Sequence, residues 1–201
     1  MDTEKPGRGR RRQFDLDDAL QQAQRQFHLH GYEGARMSDI CAGLGITQTS
    51  LYAAFGSKLE LYGKVIDRYA STDAQFITNA LDTAATPDEL WDGILSGAAE
   101  AYGRSEAPGC LVLGADVSAL DDGARSLLQQ QASLSQQAIA ARLKQIGSTA
   151  PDADAAAIMT LLRGLSASAR AGARHEALSS SVNRILGARH RRQTPSVSAS
   201  R

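Results

Sequence analysis

Residues Met37 to Lys58 read MSDICAGLGITQTSLYAAFGSK, and this stretch carries the fold assignment. Gly45 divides it. Before the glycine, Ile40, Gly43 and Leu44 fall on one helical face; after it, Ile46, Leu51 and Phe55 recur at steps of five and four. A glycine between two such segments supplies the positive φ that ends one helix and turns the chain into the next. Thr47 stands where an N-cap belongs, ahead of the hydrogen-bonding row Gln48, Thr49, Ser50 and Tyr52. Two short helices about a tight turn, the second polar outside, form the helix-turn-helix pattern that seats a recognition helix in the DNA major groove. An ordinary αα-corner fits the same pattern, and within this stretch the two readings stand level.

Toward the N-terminus, Asp15 is placed to cap a helix with Asp17 and Asp18 in its first turn, where acidic groups complement the helix dipole. Leu16, Leu20, Ala23 and Phe27 form its apolar stripe, and Gly31 stops it. His28 and His30 lie two apart, so they do not share a helical face and make no metal pair. The next helix has an ambiguous start: Arg36 is a poor N-cap, whereas Ser38 is a good one that would shorten the helix. Cys41, beside Ile40, reads as a small buried hydrophobe. Residues 1–13 are basic and broken by Pro6, Gly7 and Gly9, so they are expected as a flexible arm that either follows phosphates or stays solvated.

Toward the C-terminus, Gly56 ends the recognition helix and Ser57-Lys58-Leu59-Glu60 is a capping box, so a new helix starts at Lys58. An ammonium beside the free N–H groups of a helix N-terminus makes a phosphate clamp. Tyr62, Val65, Ile66, Tyr69, Asp73, Phe76 and Ile77 predict one long helix from there, long enough to bridge two domains.

Composition fits this picture. The 201 residues can bury a substantial core, and the low aromatic content without β-branched alternation predicts an all-α fold. Lys and Arg number 22 against 22 Asp and Glu, a balance that argues against a general nucleic-acid coat but not against a protein touching few phosphates. Cys41 and Cys110 make no disulfide framework and read as reduced thiols of a cytoplasmic protein. No apolar run reaches membrane-spanning length, and the basic N-terminus lacks a following apolar core, so neither an anchor nor a signal peptide is expected.

The segment from Gly31 to Tyr62, GYEGARMSDICAGLGITQTSLYAAFGSKLELY, resembles the DNA-binding domain of the TetR family of transcriptional regulators. The resemblance lies in GYE, Ile40, Gly45-Ile46, Leu51-Tyr52, Phe55 and Lys58. Three positions depart from the common pattern: Arg36 replaces a Ser/Thr cap, Thr49 a frequent glycine and Ala54 a frequent histidine. The resemblance implies that Thr47, Gln48, Thr49 and Ser50 lie at the groove, with Gln48 reading a base edge. It implies that Tyr52 and Lys58 hold phosphates, with Ser38 and Arg36 as further backbone contacts. The implied architecture is an N-terminal three-helix head over residues 14–57 and a helical ligand-binding and dimerisation domain over 58–187; from Ala188 onward the chain is polar and proline-broken, so 188–201 is expected as a disordered tail.

The rest of the chain supplies the regulatory part. Thr86-Pro87-Asp88-Glu89 is a second capping box with proline at the first helical position, followed by the apolar face Leu90, Ile94, Leu95, Ala98 and Tyr102. Pro108-Gly109 then introduces GCLVLGA, which resembles a segment near the ligand cavity in a subset of TetR-like regulators, some of which sense electrophiles or oxidants through a cysteine. Cys110 is therefore either a sensor, if a helix N-terminus lowers its pKa, or a packing residue. Leu127, Leu128, Leu134, Ile139, Leu143 and Ile146 predict a long helix ended by Gly147, and Pro151 opens another. In that helix Gly164, Ser168 and Gly172 repeat every four residues beside Leu161 and Leu165, a row that permits close helix approach. With Leu178, Val182, Ile185 and Leu186 of the last helix, the resemblance implies a four-helix dimer seam; core packing within one chain fits the same residues. Trp91, Tyr102, Cys110, Leu113, Met159 and Leu162 line an apolar cavity or simply build the core.

Together with the resemblance, these residues imply a homodimeric transcriptional regulator, a repressor in the first reading, that binds a near-palindromic double-stranded operator and is released by a small-molecule effector, without cofactor, metal or membrane. A TetR-like activator, a thiol sensor acting through Cys110 and a helical adaptor that no longer binds DNA are the alternatives. No phosphate loop, metal-ligand spacing or nucleophile–base pattern supports an enzyme.

Overall fold

The computed structural model describes residues 15–104, 106–115 and 120–193. Among them the regular structure is all helical: α1 (Leu16–Gly34), α2 (Met37–Leu44), α3 (Gln48–Phe55), α4 (Lys58–Ser71), α5 (Gln75–Thr83), α6 (Pro87–Tyr102), α7 (Asp122–Gln145), α8 (Pro151–Arg170) and α9 (His175–Gln193). Helices α1 to α3 form the head. Helix α4 packs on α1 and α7, while α5 to α9 form the body, with α6 held between α5, α8 and α9.

The caps form largely as the side chains dictate. Asp15 accepts from the backbone N–H groups of Asp17 and Asp18, and Thr47 from Ser50 N at 3.2 Å. Ser57 and Glu60 close a reciprocal capping box on α4. At α6, Thr86 accepts from Glu89 N at 3.2 Å, but the Glu89 carboxylate reaches back to Ala85 N rather than to the cap residue. Such caps contribute about 1 kcal/mol each. Gly31 leaves the helical region at φ 69°, which bends the last turn of α1 and seats Tyr32 in the head core against Phe27 and Tyr62.

Several expectations are corrected. The stripe of α1 is rotated: Ala19, Ala23, Gln24, Phe27 and His28 are buried, and Leu16 is 55% exposed. In α2 the buried face is Met37, Ile40 and Cys41, while Gly43 is exposed and borders the side chain of Gln22. Helix α2 starts at Met37 with Arg36 in the cap position and no side-chain cap bond; Ser38 instead donates to Asp39.

The long helix from Lys58 is in fact two. It breaks over residues 72–74, because the hydroxyls of Ser71 and Thr72 both donate to the Arg68 carbonyl, at 2.9 and 2.8 Å, and compete with the helical ladder. Thr72 leaves the helix at φ −117°, ψ −82°. In α7, Leu134 is 52% exposed and not part of the core. The last helix continues through Gln193, so the polar stretch expected as a tail from Ala188 is helical to that point. The basic arm (1–13) and residues 194–201 lie outside the described residues.

Candidate DNA-binding head and effector cavity

Helices α2 and α3 meet at Gly45, which sits at φ 65°, ψ 31° and returns its N–H to the carbonyls of Cys41 and Ala42. A left-handed residue here lets α3 leave at a steep angle, and Leu51 and Phe55 anchor its back in the core at 0% and 5% exposure. With its back fixed, α3 presents Gln48, Thr49 and Tyr52 outward, Tyr52 being 42% exposed. Thr47 and Ser50 are also exposed but hydrogen-bond one another across 3.0 Å, so they brace the start of the helix. Arg36 and Ser38 lie exposed at the start of α2.

Lys58 lies at the N-terminus of α4 but is not idle. Its ammonium donates to the Glu33 carbonyl at 3.4 Å and stands 4.8 Å above the Tyr32 ring. It thereby joins the end of α1 to the start of α4, and among the described residues no carboxylate stands within ion-pair distance to hold it away from an anion. Tyr32 in turn hydrogen-bonds Asp121, the N-cap of α7. Burial first, then the Asp121 charge and hydrogen bond, push the Tyr32 hydroxyl up to about 12. Head and body are thus linked by a polar contact at the first turn of α7, beside Leu59 of α4 against Gly123.

In the body a cavity of about 210 Å³ lies between α4, α5, α7 and the segment after α6. Its walls are mainly apolar, with Ile77 and Leu81 from α5, Val112 and Leu113, Ala132 and Leu134 from α7, and Met159 from α8. Thr78, Gln131 and Ser135 add a few hydrogen-bonding groups. Tyr69, Tyr102 and Cys110 also face it, and both tyrosine hydroxyls hydrogen-bond the thiol. Burial, and then the thiol's charge when ionised, hold both hydroxyls well above their ordinary range, so they remain neutral donors. An apolar chamber with a few placed polar groups is the usual form of a small-molecule site.

Of the six residues expected at such a cavity, Tyr102, Cys110, Leu113 and Met159 line it and two do not. Trp91 stacks under the Arg189 guanidinium, 4.4 Å away, and Leu162 is wholly buried in packing. Cys110 is 4% exposed and does not begin a helix: residues 111–114 are a turn. Its N–H donates to Ser166 Oγ at 2.8 Å, and its carbonyl accepts from Arg170 at 3.1 Å. The helix-terminus argument for an activated thiol therefore falls away.

Comparison with known proteins places this geometry. Residues 19–65, from α1 into α4, match the family described as bacterial regulatory proteins, tetR family. Over 116 residues the chain is 34% identical to the HTH-type transcriptional repressor BdcR of Escherichia coli, covering 56% of this chain and 59% of that protein. Over 65 residues it is 42% identical to the repressor ComR of the same organism, covering 32% of this chain and 31% of ComR. The matched stretches thus span less than two thirds of these curated relatives. A solved structure extends the likeness to nearly the full chain. A cysteine mutant of the TetR family transcriptional regulator CifR, in complex with 26-base-pair operator DNA, superposes with a TM-score of 0.82 at 30% identity, covering 89% of this chain and 99% of that one. The chain belongs to the TetR family. Members of that family are regulators, not enzymes.

In this TetR-family chain the residues expected at a dimer seam divide in two. Leu165, Leu178 and Val182 are 6%, 2% and 1% exposed within the single chain and pack internally, which corrects their assignment to an intermolecular surface. Gly164 and Ser168 lie exposed on α8, Leu161 and Ile185 are half-buried, and Gly172 stands beyond the end of α8 at φ 100°. A strip of small side chains is thus left on the outside of α8. The cavity residues that sequence reading missed are chiefly Tyr69, Thr78, Gln131 and Ser135. Their only signal was polarity or aromatic bulk inside amphipathic helices, which does not distinguish a cavity wall from an exposed flank.

Proposed function

We propose that this TetR-family chain is a homodimeric, effector-released transcriptional repressor. The observation that carries the reading is α3: its apolar back is locked in the head core while Gln48, Thr49 and Tyr52 stand free on the other side. Thr47, Gln48, Thr49 and Ser50 meet the groove, with Gln48 bonding a base edge, and Tyr52, Lys58, Arg36 and Ser38 hold phosphates. BdcR and ComR, named as repressors, and the operator complex of CifR support this assignment. Two heads on a twofold axis reach successive grooves about one helical turn apart or slightly more, so the operator is a near-palindrome. Leu161, Gly164, Ser168 and Ile185 supply the surface on which α8 and α9 pair with a second copy.

The cavity beside Tyr69, Tyr102 and Cys110 takes the effector, a compact apolar molecule with one or two hydrogen-bonding groups. The GCL segment, Gly109-Cys110-Leu111, supports assigning the chain to a subset of the family that uses this region for ligand recognition. Release needs the effector to favour one of two head spacings by about 1–3 kcal/mol. The protein works in the cytoplasm, where its DNA is; no helix among the described residues is long and apolar enough to cross a membrane.

Gel-shift competition on the DNA upstream of the protein's own gene tests the reading. Gln48→Ala should relax preference at one base pair per half-site, costing about 1–3 kcal/mol there. Equal discrimination by wild type and variant at every operator position would remove Gln48 as a base reader. If neither protein prefers any upstream fragment over random DNA, this autoregulatory repressor reading fails.

A further inference from the structure

Among the described residues, every side chain that lines the cavity between α4, α5, α7 and the segment after α6 is uncharged. An anion or cation placed there would give up hydration with no counter-charge to meet it, a penalty that keeps charged molecules out. The two tyrosines supply no charge either. Burial holds the Tyr69 and Tyr102 hydroxyls neutral, and both are already bonded to the Cys110 thiol. Such walls select a neutral molecule.

Size sets a second limit. At about 210 Å³ the cavity exceeds the ~150 Å³ that accepts benzene in an engineered protein core, leaving room for about two or three further heavy atoms. Its inner wall includes two phenol rings held in place: Tyr69 meets His28 edge-on at 5.8 Å, and Tyr102 meets Phe76 edge-on at 5.9 Å. Met159 and Cys110 are the sulfur-bearing residues of the same wall. Rings and sulfurs both gain more from contact with a π-system than with a saturated chain. Polar recognition comes from α5 and α7. Among the described residues the Gln131 amide and the Thr78 hydroxyl make no hydrogen bond, so the amide keeps both a donor and an acceptor for an occupant. Ser135 donates to the Gln131 backbone carbonyl at 3.1 Å and retains its acceptor lone pairs.

We infer that the effector is an uncharged, single-ring aromatic compound carrying one hydroxyl or carbonyl group, with its ring against Tyr69, Tyr102 and Met159 and its polar group on Gln131. The assignment rests on the cavity being the effector site. It excludes carboxylates, phosphates and amines of the same size, and it ranks a saturated alcohol of equal volume below its aromatic counterpart.

The experiment uses the full chain, with thermal unfolding and titration calorimetry for binding and a gel shift on the upstream DNA for release. The probes are 4-methylphenol, acetophenone and 4-nitrophenol, set against benzoate, benzylammonium and cyclohexanol. At least one neutral aromatic should bind saturably, about tenfold more tightly than any of the three comparators. The phenol form of 4-nitrophenol should bind, and its affinity should fall as pH rises through its own pKa. Gln131→Leu and the isosteric Thr78→Val test the polar end: at least one should weaken 4-methylphenol about fivefold while leaving toluene, which has no polar group, unchanged. Ala132→Phe should abolish binding of them all. Three results overturn the inference: no saturable binding by any neutral aromatic, equally tight binding of a charged or saturated comparator in the cavity, or wild-type affinity for 4-methylphenol in both polar variants. Release is read separately. Aromatic binding that Ala132→Phe abolishes, but that leaves the DNA complex intact at saturation, refutes the effector reading rather than the ligand class.

Discussion

Removing the Tyr32 hydroxyl tests how head and body are joined. Tyr32 is 7% exposed, its ring lies 6.1 Å from Phe27 and 4.9 Å from Tyr62, and its hydroxyl hydrogen-bonds Asp121 across the junction. Tyr32→Phe keeps the ring packing and deletes that bond alone. A hydrogen bond to a charged acceptor contributes about 1.5–3 kcal/mol, and since Asp121 is exposed to competing water the lower end, about 1.5 kcal/mol, is expected. For a chain of this length that is a fall in unfolding temperature of about 3–6 °C. Asp121 also caps α7 by accepting from Ala124 N at 2.7 Å, so the partner variant is Asp121→Asn, which preserves a competent cap. Urea unfolding of wild type, both singles and the double, followed by helical circular dichroism, gives the coupling directly. Single effects that add to within about 0.3–0.5 kcal/mol would mean that Tyr32 and Asp121 act independently, and the junction argument would be wrong. The pH dependence has a definite sign. Folding raises the Tyr32 hydroxyl from 10.0 to about 12, so its contribution is fully present below pH 10 and is lost as pH climbs toward 12. Tyr32→Phe should lack that part of the alkaline decline.

Lys58→Ala should weaken binding to all DNA sequences alike and reduce the slope of log affinity against log salt by about one ion, read by fluorescence anisotropy. The same change removes the ammonium over Tyr32 and should cost about 0.5–1 kcal/mol of stability in urea unfolding. Ala132→Phe should fill the cavity and give a repressor that holds its operator but no longer responds to the effector; full response in a gel shift would place the effector elsewhere. Cys110→Ser should behave as wild type toward N-ethylmaleimide, neither protein being released from DNA, because the thiol is sheltered under Tyr69 and Tyr102. Release of the wild type alone would make Cys110 the trigger.

Much of the head was readable because its determinants are local. Caps at Asp15, Thr47 and Ser57, and the left-handed Gly45, act within a few residues of themselves, and each forms as its side chain dictates. What failed depended on distant partners or on close competition. Leu165, Leu178 and Val182 carry the same apolar signal whether they face another helix of the same chain or a second chain. The break at Thr72 arises from two hydroxyls turning back on the Arg68 carbonyl, a choice that apolar periodicity does not register. Cys110 was half legible: its presence at the cavity follows from the segment around it, but the absence of a helix there depends on Ser166 and Arg170, more than fifty positions away.

The interruption between α4 and α5 divides two kinds of inheritance. Lys58 to Ser71 spans about 20 Å as one rigid rod, with the head at one end and Tyr69 and Ala70 against the cavity at the other. Ile77, Thr78 and Leu81, which shape the opposite wall, stand on a separate piece beyond the break. Substitutions there can retune which molecule is accepted without altering the rod that sets the head. Such a chain can acquire a new chemical vocabulary while keeping the grammar by which it answers.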